Sequence, residues 1–197
     1  MAYEQKNFDG LLGMEGFSET LLKNHFTLYG GYVTNANKSA DLLAAMAKDG
    51  RIGTPEYAEV KRRFGWEFNG MRLHEYYFGN LKKGGTPMST GSALAKAATA
   101  EFGSPENWEK DFRTTGAMRG IGWVALYYDP MGKRLFNCWI NEHDVGHLTG
   151  AAPILIMDVF EHAYMTDYGL KKADYISAFM KNIDWKEAET RFAKATR

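Results

Sequence analysis

The chain has 197 residues, 45% of them hydrophobic and 24% charged, a length that suits one sizeable core or two small domains sharing an interface. Its 24 basic and 24 acidic side chains cancel, so the basic excess that marks a nucleic-acid or other polyanionic partner is missing. The single cysteine, Cys138, excludes an intrachain disulfide and a cysteine-rich zinc or iron–sulfur site, leaving nitrogen and oxygen as metal donors.

The opening segment, MAYEQKNFDGLLG, carries charges and amides where a secretory leader needs an apolar run. No stretch approaches the roughly 18 uninterrupted apolar residues of a spanning helix. The expectation is a cytoplasmic protein with no membrane partner.

Residues 18–80 read as helical. Ser18 and Glu19 open a first helix, on which Leu21, Leu22, His25, Phe26, Leu28, Tyr29, Tyr32 and Val33 follow the helical period. Thr54-Pro55-Glu56 starts a second, with proline at the first helical position and Phe64, Phe68, Met71, His74 and Phe78 along one face. KKGGTPMSTG (82–91) then reads as a linker.

Beyond it, Ser89 or Thr90 is expected to cap a helix over 92–102, and Ser104-Pro105 to open another. IGWVALYY (121–128) and RLFNCWI (134–140) flank the turn signal Asp129-Pro130-Met131-Gly132 and predict a β-hairpin. PILIMDVFEHAY (153–164) begins as a buried strand and ends polar. Helices near 170–182 and over 185–195, the latter opened by Asp184, complete the chain. The fold class is α+β: an N-terminal helical hairpin over 1–84, and a C-terminal unit over 85–197 with a small antiparallel sheet flanked by helices.

Four residues stand out chemically. Asp158 and His162 are four apart, and converge whether the segment is helical or a strand end followed by a turn. His25 and His74 each occupy the apolar face of a helix, where Leu or Met is expected. Taken singly, each is more often a hydrogen-bonded core residue than a ligand. Together they form a set of four buried polar groups that one shared cation satisfies. Three imidazoles and a carboxylate suit iron, manganese or zinc rather than magnesium or calcium.

The whole chain resembles the iron/manganese superoxide dismutase family, from the helical hairpin to NIDW (182–185). DVFEHAY (158–164) is similar to that family's D-x-W-E-H-A-Y signature. LLKNHFTLYGGYVTN (21–35) and FNGMRLHEYYF (68–78) match its two ligand helices, and IGW (121–123) matches an aromatic wall. The resemblance implies His25, His74, Asp158 and His162 as ligands of one iron or manganese per chain, iron slightly favoured, in a site between the two units. It implies Tyr32 as gate and proton donor, and Tyr29, Phe78, Trp123 and Tyr164 around the metal and its approach. Superoxide is the implied substrate. Glu161 is expected to reach His162 of a second subunit in a homodimer, with a tetramer also compatible.

The departures are specific. Seven residues separate His25 from Tyr32 where the family usually has eight. Tyr29 replaces a funnel histidine, and Met165 replaces that histidine's tyrosine partner. Phe78 and Phe160 stand where tryptophans are common, and Lys172 where an arginine is usual. The group that tunes the metal is usually a glutamine; its two locations hold Gly70 and the segment NEHDVGH (141–147). His143 is assigned that role, because some members resembling this chain use histidine there. Glu142 and His147 are the alternatives: a glutamate is disfavoured by repulsion from a bound hydroxide, and His147 reads as a surface residue near the hairpin. Two other functions fit the same ligands: a zinc-dependent hydrolase, and a non-catalytic binding protein of the same fold.

Overall fold

The computed structural model describes residues 2–197. Two long helices, α1 (Glu19–Lys48) and α2 (Pro55–Gly79), form an antiparallel hairpin. Each starts where the capping chemistry predicts: Ser18 Oγ accepts from the Leu21 N–H at 3.0 Å, and Thr54 Oγ1 from the Tyr57 N–H at 3.2 Å. These bonds satisfy amides that a helix leaves unpaired at its start. The face that α1 turns inward carries Leu21, Leu22, His25, Tyr29, Tyr32, Val33 and Ala36, all buried.

The C-terminal part holds α3 (Ala93–Phe102), α4 (Pro105–Ala117), the strands β1 (Gly122–Asp129), β2 (Arg134–Asn141) and β3 (Ala152–Asp158), then α5 (Met165–Tyr168), α6 (Lys172–Lys181) and α7 (Trp185–Ala195). All strand pairs are antiparallel in the order β2-β1-β3. β1 is central and buried along almost its whole length, so it reads as a continuous apolar run instead of alternating. The hairpin turn is tied by Asp129, whose carboxylate accepts from the Met131 and Gly132 N–H groups.

The expected side-chain capping differs at two helix starts. α3 is capped by Ser92, which accepts from the Ala95 N–H, and not by Ser89 or Thr90. Ser92 lies three residues past Ser89 and two past Thr90, and any of the three hydroxyls has the capping chemistry. Asp184 precedes α7 but caps nothing; its carboxylate accepts from Thr86 Oγ1 at 2.9 Å. That bond and the Thr86–Ile183 backbone bond pin the supposedly free linker to the C-terminal segment.

Asn80, just past α2, joins the hairpin to the sheet. Its fully buried amide donates to the Ile156 carbonyl and accepts from the Ile156 N–H, completing the open edge of β3 in place of a fourth strand. Such pairing answers the obligation that every buried backbone group find a partner. It also fixes the end of β3 against α2, which is where the chemistry lies.

Candidate metal centre

β3 ends at Asp158, and the chain then turns through Val159 and Phe160 into a 3-10 turn, Glu161–Ala163. The segment is therefore extended at Asp158, and the turn brings His162 back toward it. The Phe160 N–H donates to Asp158 Oδ1 at 2.9 Å, and Tyr175 Oη donates to the Asp158 carbonyl at 2.6 Å. One carboxylate oxygen is thus anchored and the other, Oδ2, is aimed inward.

Three imidazoles meet that oxygen. His25 Nε2 lies 3.1 Å from Oδ2, His162 Nε2 3.2 Å and His74 Nε2 3.7 Å. The four ligand atoms lie within 4.8 Å of one another. Donors held about 2.0–2.2 Å from a common ion are about 3–4 Å apart, so the spacing fits a single cation. His74 Nδ1 donates to the Gly70 carbonyl at 2.6 Å, which leaves the Nε2 lone pair free; that atom is buried without a hydrogen-bond partner. A backbone carbonyl orienting the far ring nitrogen is the usual support of a metal-bound histidine.

The electrostatics agree. Burial drives the pKa values of His25 and His74 down, in His74 well below the ordinary value, so both rings stay neutral. Burial pushes Asp158 up, but the interactions with His162 and His25 outweigh it and hold the carboxyl below its usual range. His25, His74 and Asp158 are fully enclosed, whereas 29% of the His162 side chain remains exposed. Of the four, His162 alone reaches solvent.

A second set of contacts surrounds the four. Trp123 pairs with Asp158 in the β1–β3 register and packs edge-on to His74, ring centroids 4.9 Å apart. Trp123 Nε1 donates to His143 Nδ1 at 3.1 Å, and His143 Nε2 lies 2.8 Å from Tyr32 Oη. His143 is fully buried and burial lowers its pKa to about 4, so the ring is neutral near pH 7. Because Nδ1 accepts, Nε2 carries the proton and donates to Tyr32. The hydroxyl proton of Tyr32 is then free to point elsewhere. Burial, with Asp158 and Glu67 adding to it, raises the pKa of that hydroxyl.

The glycine at position 70 has a steric reason. A Cβ there would lie 2.6 Å from Tyr32 Cδ1, so a glutamine at this position is incompatible with the observed Tyr32. His143 reaches the same neighbourhood from the loop after β2. His147 does not reach the site: its ring bridges Tyr127 Oη and the His143 carbonyl, at 2.7 and 2.9 Å. Glu142 is exposed and accepts from Trp66 Nε1.

Among the aromatic residues singled out, Phe78 packs edge-on to His25 at 4.9 Å, and Phe160 stacks on both His162 and His143. Tyr29 lies beside His74 but is fully buried, and its hydroxyl turns away to Glu75 Oε1 and the Lys6 N–H. It lines no approach, and burial pushes its pKa up to about 12. Tyr164 stacks on Tyr175 at 5.6 Å, behind the ligands. Glu161 is exposed and carries no ion pair among the described residues. Sequence reasoning missed Tyr175, Asn80 and Trp66, whose partners are distant in sequence.

Three imidazoles and one carboxylate, with no thiolate, are a donor set that could hold a borderline first-row metal on an α+β scaffold. Residues 89–191 match the description "Iron/manganese superoxide dismutases, C-terminal domain". The full chain is 40% identical to a superoxide dismutase (Fe) of Cupriavidus metallidurans across 100% of both proteins. A superoxide dismutase (Fe) of Aquifex pyrophilus is 35% identical over 92% of this chain and 87% of its own. A superoxide dismutase (Mn) of Haloferax volcanii is 34% identical over 90% and 87% respectively. The chain belongs to the iron/manganese superoxide dismutase family.

Proposed function

We infer that the protein is a superoxide dismutase working with one iron or manganese ion per chain, iron favoured, held by His25, His74, Asp158 and His162. The observation that carries this reading is the convergence of three imidazole Nε2 atoms on Asp158 Oδ2. The preference for iron rests on the name of the relative that matches at 40% identity, while other relatives carry the manganese name.

A metal held by these four residues would supply one-electron chemistry between its trivalent and divalent states, the balance being one superoxide oxidised to dioxygen and a second reduced to hydrogen peroxide. Forming peroxide also consumes two protons, and these are the protein's task. Tyr32 holds one at Oη, kept there near neutral pH by its raised pKa. His143 fixes the orientation of that hydroxyl through Nε2, and Trp123 fixes the tautomer of His143 through Nδ1. Solvent supplies the second proton and returns the first to Tyr32. Trp123, Phe78 and Phe160 exclude water from the ligand cage, which strengthens every charge interaction within it.

The exposed edge of His162 supports a homodimer in which Glu161 of each subunit meets His162 of the other, with pairs of dimers also compatible. The acid beside a ligand histidine then accepts a hydrogen bond from the opposite ring. A single cysteine fits a reducing cytoplasm.

Metal analysis with activity of iron- and manganese-reconstituted protein tests the reading. Dismutation with either ion at one per chain is expected. Full occupancy without turnover in both forms would reject it, and isolation with stoichiometric zinc and hydrolytic activity would favour the zinc reading. Light scattering on the reconstituted protein checks the dimer, which a fully active monomer would overturn.

A further inference from the structure

Arg63, Trp66 and Glu67 form a cluster on α2 outside the ligand cage. The Arg63 guanidinium lies 3.8 Å over the Trp66 ring, and its Nε donates to Glu67 Oε1 at 2.8 Å. Glu67 is 4% exposed, and its Oε2 has no hydrogen-bond partner among the described residues. The Arg63 side chain is 46% exposed, and its two Nη groups have no protein partner among the described residues. Tyr32, Asn35, Arg63, Trp66 and Glu67 line a cavity of about 210 Å³.

The cluster touches the proton-bearing pair directly. The Trp66 ring centroid is 5.6 Å from that of Tyr32 and 4.4 Å from that of His143. On the far side of α2, Arg72 and Lys6 both pair with the buried Glu75. Arg63 offers four unengaged Nη–H donors beside a cavity that Tyr32 also lines.

A purely structural ion pair would engage both carboxylate oxygens of a buried glutamate, since an unsatisfied one is penalised. Here one oxygen is left over and the guanidinium fork faces outward. We propose that Arg63 captures the superoxide anion at this cavity and delivers it past Trp66 to Tyr32, with Glu67 holding the guanidinium in place and moderating its charge. This rests on the dismutase reading above. No bond is made or broken in the capture; the anion exchanges water for guanidinium N–H donors.

Opposite effects of two substitutions test it. In the metal-loaded enzyme, Arg63→Gln is expected to lower kcat/KM about three- to tenfold at low ionic strength and to flatten its decline with salt, as for loss of one steering charge. Glu67→Gln is expected to raise kcat/KM and steepen that decline. The double variant guards against an effect of leaving Glu67 unpaired, and is expected to be slower than Glu67→Gln alone. Iodide quenching of Trp66 fluorescence, taken as the component missing in Trp66→Phe, gives a readout independent of turnover. It is expected to be several-fold stronger relative to neutral acrylamide in the parent protein than in Arg63→Gln. An active enzyme in which Arg63→Gln keeps the parent rate, salt dependence and iodide response overturns the proposal, and so does a Glu67→Gln variant as slow as Arg63→Gln. A parent protein without dismutase activity instead refutes the functional reading, and leaves the iodide comparison to decide whether Arg63 binds anions.

Discussion

Replacing Gly70 by alanine probes the link between packing and proton delivery without touching a ligand. The added Cβ would stand 2.6, 2.7 and 3.0 Å from Tyr32 Cδ1, Cε1 and Cγ. Carbon atoms pack at about 3.5–4.0 Å, so the ring must retreat by about 1 Å. The Tyr32–His143 bond, 2.8 Å long, would then stretch to about 3.8 Å, beyond hydrogen-bonding range. Overpacking destabilises by about 1–3 kcal/mol, while alanine gains about 1 kcal/mol over glycine inside a helix. The net loss of about 0–2 kcal/mol lowers Tm by at most about 8 °C, so the variant folds. The Gly70 carbonyl that orients His74 is unchanged, and metal content is expected to stay normal. Turnover is expected to fall by up to about 100-fold, the penalty typical of a 1 Å misplacement. The assay is turnover per bound metal, measured also in Tyr32→Phe and in the double variant. If the loss acts through Tyr32, the double variant is no slower than Tyr32→Phe. Additive losses, or a Gly70→Ala enzyme at the parent rate, would refute the reasoning.

Asp158→Ala is expected to abolish metal retention, because the remaining imidazoles lose the oxygen on which they converge; near-normal metal content by elemental analysis would contradict this. His143→Ala is expected to retain metal but lose most turnover, since Tyr32 loses its donor, and unchanged turnover would remove His143 from proton delivery. Tyr175→Phe removes the 2.6 Å bond to the buried Asp158 carbonyl and is expected to lower stability by about 1–3 kcal/mol, read by urea denaturation. The metal-free protein is expected to weaken in acid. The lowered pKa values of His25, His74 and His143 mean that the unfolded chain binds more protons, so stability is complete above about pH 6.5 and falls below it. For His143, lowered from 6.5 to about 4, the loss at pH 5 relative to pH 7.5 is about 2 kcal/mol. Equal denaturation midpoints at the two pH values would contradict the neutral burial of these rings.

Much of this protein is legible in its sequence because the signals are local. Capping by Ser18, Thr54 and Ser104, the period of the apolar residues and the Asp129–Gly132 turn each report on a few neighbouring residues, and each reappears in the structure. The four histidine and aspartate positions stood out because polar groups on apolar faces need a partner, a requirement of solvation and not of topology. The family signature in DVFEHAY supplied the chemistry that spacing alone left open.

Other features exist only once distant segments meet. Tyr29 reads as a funnel residue in sequence, yet the N-terminal segment and Glu75 capture its hydroxyl. Glycine at 70 has no visible purpose until Tyr32 lies against it. The choice among Glu142, His143 and His147 is a matter of direction: three polar residues share one loop, and only His143 points between Trp123 and Tyr32. Local propensity is encoded residue by residue, but which side chain faces a given point depends on how α2, β1 and β3 are locked together. That locking runs through Asn80 and the strand register, long-range contacts that no short window of sequence contains.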